Sequence, residues 1–360
     1  MDRSTVDIYE AQSARYEAQR TPRHRPRAER FGRRVHGGLA VDLGSGPGWY
    51  TTALGRPAVA LDAALAMLRR TREVAPRCLP VQGDLAALPF RDGSLAGGWA
   101  RNSYVHLSAA DVPMALADLH RALRVAAPVE LTFFGGEGEG RGVFPDDDLP
   151  GRWFSTWTRR RLEDVVLGAG FELEEIEEEH RPDGEIGYTV RATRARTLAD
   201  TVRPGMRVLV SGLNPSVTSA DAGIGFFSPG NRFWPAALAA GLASRDRDPR
   251  HALAHHGMGM TDLVKRATPR ADGLTAAEYR AGLERLGRLC EWLQPGVVCF
   301  VGLAGWRAAV DRKATAGWQS TALGGRPVYV MPSTSGANAS SQPPALTDHL
   351  RAALAGRRST

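Results

Sequence analysis

The chain has 360 residues, 43% of them hydrophobic and 24% charged, with a formal net charge of +7 and three cysteines. That length exceeds what one core usually organises, so two domains of ordinary size are expected. Cys78, Cys290 and Cys299 show no CxxC spacing and no nearby histidine cluster, which argues against a zinc site, an iron–sulfur cluster or a disulfide framework and suits a reducing cytoplasm.

A polar, Arg-rich leader (1–36) comes first. Short apolar runs then alternate with amphipathic stretches. "LAVDLG" (39–44), "AVALD" (58–62), "LPVQGD" (79–84), "LAGGWA" (95–100) and "VELTFF" (129–134) read as strands, with "ALAMLRRTRE" and "DVPMALADLHRALRV" at helical spacing between them. Strand, helix, strand at this interval implies crossover units and a parallel sheet. "TRRRLEDVVLGAGFELEEIEEE" predicts a helix stopped by Gly170 and then a strand, and "YTVRATR" a closing antiparallel strand. A boundary is expected near residue 196, giving a leader (1–36), a first domain (37–195) and a second (196–360).

The second domain begins with a strand over 206–212, followed by a small-residue loop. Helices are expected from "RFWPAALAAGL" and "AAEYRAGLERLGRLCEWL", then strand "GVVCFVG" (296–302), helix "AGWRAAVD", strand "PVYVMP" (327–332), a Ser/Asn loop and helix "ALTDHLRAALAG". This is again a three-layer α/β/α pattern with a short parallel sheet. Charge separates the two parts. Residues 1–200 carry 27 basic and 29 acidic side chains, net −2, whereas 201–360 carry 19 and 10, net +9. The second part is the better candidate for a polyanionic partner such as nucleic acid. No apolar run approaches the roughly 18 residues of a membrane helix, so no membrane partner is expected and a cytoplasmic, nucleoid-associated location is.

In "VDLGSGPG", Gly44, Gly46 and Gly48 follow a strand and precede a helix, where glycine lets the backbone approach a ligand. Asp62 closes the next strand about 20 residues on, where a carboxylate accepts ribose hydroxyls, and Asp84 follows the third. These strand ends converge on one crevice of an open α/β sheet. His106 reads either as a general base or as a structural histidine. Residues 8–195 resemble the class I S-adenosylmethionine-dependent methyltransferases, a Rossmann-like fold, through "VDLGSGPG", "LDAALAMLRR" and "GDLAALPFRDGSL". The resemblance implies that Asp42 with Gly44, Gly46 and Gly48 holds the methionine part of S-adenosyl-L-methionine, Asp62 the ribose, and Asp84 with Leu85 the adenine. The methyl acceptor is left open: Arg101-Asn102-Ser103-Tyr104 matches neither the amino-methylating nor the cytosine-C5 DNA enzymes.

In the second half, "SGLNPSVTSADAGIGFFSPGNRFW" sets an Asn at a strand end, a flexible loop and then aromatic rings. Cleaving an N-glycosidic bond in DNA needs an extruded base, a pocket that stacks on it and a placed water. An asparagine holds such a water without acting as a base. Taken singly, Asn-Pro is a turn dipeptide and the rings are core. Together with "MTDLVKRAT" (260–268), "QPGVVCFVG" and "MPSTSGANA" (331–339), the stretch resembles the mismatch-specific uracil/thymine-DNA glycosylases of the uracil-DNA glycosylase superfamily.

That resemblance implies that Asn214 positions the attacking water and that Phe226 stacks on the base, with Leu213 and Ser216 lining the pocket by main chain. Ser333, Ser335, Gly336, Ala337 and Asn338 become the loop that wedges into the duplex. It implies U:G or T:G mispairs in double-stranded DNA as partner and no cofactor or metal for this half. Ser216 stands where glycine is common, and the small Ala337 at the wedge tip predicts weaker contacts to the opposite strand. The leading expectation is a bifunctional protein, a methyltransferase joined to a base-excision repair glycosylase. The alternative is a methyltransferase acting on a small molecule or tRNA, with the second half a lesion-binding module that excises nothing.

Overall fold

The structure, a computed structural model, describes residues 1–180, 184–269, 273–336 and 342–356. Contacts divide it into two units, residues 1–167 with 171–195, and residues 168–170 with 196–360.

In the first unit, helices α1 (Arg3–Ala18) and α2 (Arg25–Arg34) precede β1 (Leu39–Leu43). The residues set apart as a leader are therefore helical, and they belong to the unit's core: Ala28 and Phe31 of α2 are buried against Ala40, Leu54 and Trp99. The chain continues through β2 (Ala58–Asp62), α3 (Leu65–Val74), β3 (Leu79–Gln82), β4 (Leu95–Ala100), α4 (Val112–Ala122) and β5 (Pro128–Gly135). It ends with β6 (Glu139–Arg141), β7 (Trp153–Trp157), α5 (Arg159–Gly168), β8 (Phe171–His180) and β9 (Ile186–Arg194).

The strands order as β3-β2-β1-β4-β5, all parallel, with β9 antiparallel beside β5 and β8 outside β9. β7 pairs with the end of β5 and carries β6 on its far side. The order reverses between β1 and β4, and a crevice at the carboxyl ends of those strands is where an open α/β sheet binds ligands. β1, β2 and β4 are apolar and buried along nearly their whole length, as strands covered on both faces must be.

The second unit runs β10 (Val208–Gly212), α6 (Val217–Ala222), α7 (Phe233–Ala239), α8 (Pro249–His256), β11 (Met258–Asp262), α9 (Ala276–Leu293), β12 (Val298–Val301), α10 (Leu303–Ala309), β13 (Gly317–Trp318), β14 (Val328–Met331) and α11 (Pro343–Leu354). Its sheet orders as β11-β10-β12-β14-β13, parallel except for the edge strand β13. The expected short parallel sheet thus gains two strands, β11 and β13. α9 starts at a capping box in which Thr275 and Glu278 satisfy each other's backbone amides. The core of this unit gathers Val210, Phe233, Trp234, Met258, Cys299 and Leu346. Among the described residues no helix is long and apolar enough to cross a membrane.

Candidate functional sites in each unit

In the first unit a cavity of about 780 Å³ opens at the ends of β1, β2 and β4, and Asp42, Gly44, Gly46, Asp62 and Leu85 line it. The turn after β1 has the tight geometry its glycines suggest. Gly44 has φ +70°, and a Cβ there would lie 2.4 Å from the Ser103 Cβ. Gly48, at φ +82°, stands back from the lining, where a Cβ would meet Thr71 Cγ2 at 2.7 Å. The Thr71 hydroxyl also donates to the Gly46 carbonyl at 2.9 Å, tying the turn to α3. Only glycine fits such a cradle.

Asp62 accepts the Gly46 N–H at 2.8 Å and the Ala64 N–H at 2.9 Å, one on each oxygen. Each oxygen keeps a further lone pair for a ribose hydroxyl. Burial pushes this carboxyl up to about 6. Asp42 accepts from the Thr51 hydroxyl at 2.7 Å, and burial pushes it up to about 7. Asp84, expected at the adenine, does not line the cavity; its carboxylate holds the Met1 ammonium at 2.9 Å.

Beyond the turn, His106 is buried and doubly bonded. Its Nδ1 lies 2.8 Å from the Trp153 carbonyl, which can only accept, so Nδ1 carries the proton and Nε2 accepts from the Tyr9 hydroxyl at 2.8 Å. Tyr9 in turn accepts from Arg152 Nη1 at 2.7 Å, and Arg152 is ion-paired with Asp147. Burial pushes His106 down to about 4, so it stays neutral. The tyrosine comes from the segment read as a leader. Its signal was present in the sequence: Tyr9 and Tyr16, seven apart, share one helical face.

In the second unit, residues 263–268 run beside 212–216. The N–H groups of Leu263, Val264 and Thr268 donate to the carbonyls of Gly212, Leu213 and Pro215 at 2.9, 2.9 and 3.1 Å. Asn214 lies in this track. Its Nδ2 donates to Thr268 Oγ1 at 2.7 Å and to the Arg266 carbonyl at 3.0 Å, while Oδ1 accepts nothing from the described residues. Ser216 caps α6, its hydroxyl accepting the Ser219 N–H at 3.1 Å. Phe226 holds φ +57°, a left-handed conformation that costs a bulky residue about 1–3 kcal/mol and tends to cluster at functional sites. Its ring stacks on Phe233 at 4.3 Å.

Of the expected wedge, Ser333, Ser335 and Gly336 are described and Ala337 and Asn338 lie outside the described residues. The loop leans on the Gly-Asn-Arg segment. Arg232 donates to the Ser335 carbonyl through its guanidinium and to the Thr334 carbonyl through its backbone N–H, each at 2.9 Å.

Sequence reasoning passed over Asp262. It ends β11 opposite Gly212, where any Cβ would lie 2.4 Å from Asp262 Oδ1 and 3.5 Å from Phe226 Cζ. Carboxylate and ring border a hollow of about 20 Å³, room for one water. Leu213, Asn214 and Ser216 are not part of its wall. Burial pushes Asp262 up to about 6. Behind it Asp200 is buried against Arg285 at 2.6 Å and Lys265 at 2.8 Å. Burial alone pushes the Asp200 carboxyl up, but the two cations outweigh it and hold the carboxyl below its ordinary range.

Residues 40–126 match the model of a methyltransferase domain, and residues 199–355 match that of the uracil DNA glycosylase superfamily. Among solved structures, the chain is similar to an S-adenosylmethionine-dependent methyltransferase from Methanosarcina mazei at 15% identity, covering 45% of this chain and 95% of that one, with a TM-score of 0.41. A chain of the Haloferax volcanii complex between a methyltransferase activator and a methyltransferase shows 18% identity, coverage of 53% and 97%, and a TM-score of 0.44. A methyltransferase from Mesorhizobium loti gives 18%, 48% and 97%, and 0.39. The chain therefore joins a methyltransferase domain to a domain of the uracil DNA glycosylase superfamily.

Proposed function

We propose that the second domain is a DNA glycosylase that hydrolyses the N-glycosidic bond of uracil, or of thymine, mispaired with guanine in duplex DNA, as a step of base-excision repair in the cytoplasm. The observation that carries this reading is the anchoring of Asn214, whose amide nitrogen is spent on Thr268 and Arg266 while Oδ1 is left to accept. A carboxamide oxygen fixed in this way takes one O–H of a water and aims its lone pair at the sugar carbon without removing its proton. Phe226 would stack on the extruded ring, and an ionised Asp262 would accept the ring N–H that uracil and thymine carry and cytosine lacks. The net +9 of residues 201–360 supplies attraction to the phosphates.

The first domain, on the same proposal, transfers a methyl group to an acceptor. The glycine cradle, the buried Asp42 and the half-buried Asp62 suit S-adenosyl-L-methionine, with Leu85 beside the adenine; bound there, the cofactor supplies an electrophilic methyl group. Asp62 would fix the ribose, and Asp42 the methionine end.

A second reading, in which the glycosylase-like domain binds lesions without excising them, is favoured by the hollow of about 20 Å³, which is too small for a pyrimidine. Incubating the full chain with U:G, T:G and C:G duplexes separates the two. Abasic sites on U:G, fewer on T:G and none on C:G support excision. Tight, mispair-selective binding with no abasic product supports the second reading.

A further inference from the structure

The cavity of the first unit extends past the cofactor turn into a compartment walled by aromatic rings. Tyr9 and Tyr16 reach it from α1, Trp49 from the glycine turn, Phe134 from β5, and Phe144 and Phe154 from the connection into β7 and the strand itself. The rings are already arranged as aromatic groups arrange around one another. Phe134, Phe144 and Phe154 meet edge to face at 4.9 to 5.9 Å, and Tyr16 lies nearly parallel to Trp49 at 5.9 Å and 15°. Resting on the methyltransferase reading above, we propose that this compartment binds a small planar aromatic molecule bearing a hydroxyl or ring N–H, and that this molecule is the methyl acceptor.

Three features favour that class. A volume of about 780 Å³ lies high in the range of about 300–1,000 Å³ typical of single ligand sites, so it accommodates the cofactor and a small second molecule. Three of the six rings already carry the chain's own guanidinium groups, Arg20 over Tyr16 at 4.5 Å and Arg152 over Tyr9 and Phe154 at 5.3 and 5.1 Å, and these positive charges disfavour a cationic acceptor. The fixed polar point is the Tyr9 oxygen. It donates to His106 and accepts from Arg152, which leaves one lone pair for an O–H or N–H of the ligand.

A polynucleotide suits the compartment poorly. α1 is strapped to α3 by Glu10 at the Ala66 N–H and by the Glu17–Arg70 ion pair, and among the described residues the cavity lining carries six carboxylates, Asp146 and Glu185 among them, against four guanidinium groups. On transfer the acceptor's O–H or N–H is replaced by O–CH3 or N–CH3, the proton leaves to solvent, and the sulfonium donor departs as the neutral sulfide.

Calorimetry on the full chain, first with S-adenosylhomocysteine alone and then with probes added to that complex, tests the proposal. Hydroxynaphthalene should bind at least tenfold more tightly than its saturated, non-planar counterpart decahydronaphthalenol. Tyr9→Phe keeps the ring and removes the hydroxyl, so it should weaken hydroxynaphthalene about tenfold and leave methoxynaphthalene, which has no donor, unmoved. S-adenosylhomocysteine binding by Tyr9→Phe reports that the variant is folded. Equal affinity for the flat and the saturated probe, or displacement of hydroxynaphthalene by tRNA, overturns the acceptor class while the methyltransferase reading stands. Failure of S-adenosylhomocysteine to bind the wild type overturns that reading, and the acceptor assignment with it.

Discussion

The crevice of the first unit is open, at about 780 Å³, whereas the hollow between Phe226 and Asp262 in the second measures about 20 Å³. Both sit at the carboxyl ends of parallel strands, and both use a glycine to bring a backbone close to a carboxylate. The difference lies in what each is proposed to receive. A cofactor that diffuses in from water favours a preformed cradle, and the left-handed glycines of the turn after β1 supply one. A base that arrives attached to a duplex brings the binding energy of many phosphate contacts, which can drive the loops around residues 214 and 226 apart as the base enters.

The largest effect is expected on the polar support of the second site. Asp200→Ala leaves Arg285 and Lys265 facing each other without their carboxylate, and should cost about 3–5 kcal/mol in urea unfolding. A milder loss would mean that water replaces the carboxylate and that the support is soft.

Next comes Asp262. Burial raises its folded-state pKa from 3.8 to about 6, so the folded chain prefers the proton. The stability this group contributes is complete below pH about 4 and is lost as pH rises through about 6. Asp262→Asn should therefore gain on the wild type between those values, by no more than about 3 kcal/mol, in thermal melts followed across that range. A flat difference would mean that the carboxylate is solvated and the hollow already open.

In the first unit, Gly44→Ala forces a side chain into a left-handed residue that faces Ser103 at 2.4 Å. It should cost about 1–3 kcal/mol and weaken S-adenosylhomocysteine about tenfold, read by calorimetry. Smallest is Thr268→Val, which removes one of the holds on the Asn214 amide. It should slow excision by about tenfold with little change in DNA affinity.

Much of this was legible from residues alone. The parallel strands of the first unit declare themselves as buried runs of Val, Leu and Ala, and α9 runs from Ala276 to Leu293 because a capping box opens it and a helical apolar stripe sustains it. β11 was not legible. "MGMTD" carries a glycine and no run of β-branched residues, and it becomes a strand only because β10 offers it a partner edge. Asp262 was lost with it, although an acidic residue closing a strand is the pattern that marked Asp62. α1 and α2 were hidden by their arginines, two of which are ion-paired with carboxylates far along the chain, Arg27 with Glu130 and Arg34 with Glu174. The size of a hollow is set by how side chains from separate segments meet, and no local pattern encodes it.

The proposed excision rests on the carboxamide of Asn214, and the decisive measurement is single-turnover excision on one U:G duplex at saturating protein. Wild type should release uracil, and Asn214→Ala should do so about 100-fold more slowly while binding the duplex equally well. Equal rates for the two proteins would contradict the role assigned to that side chain.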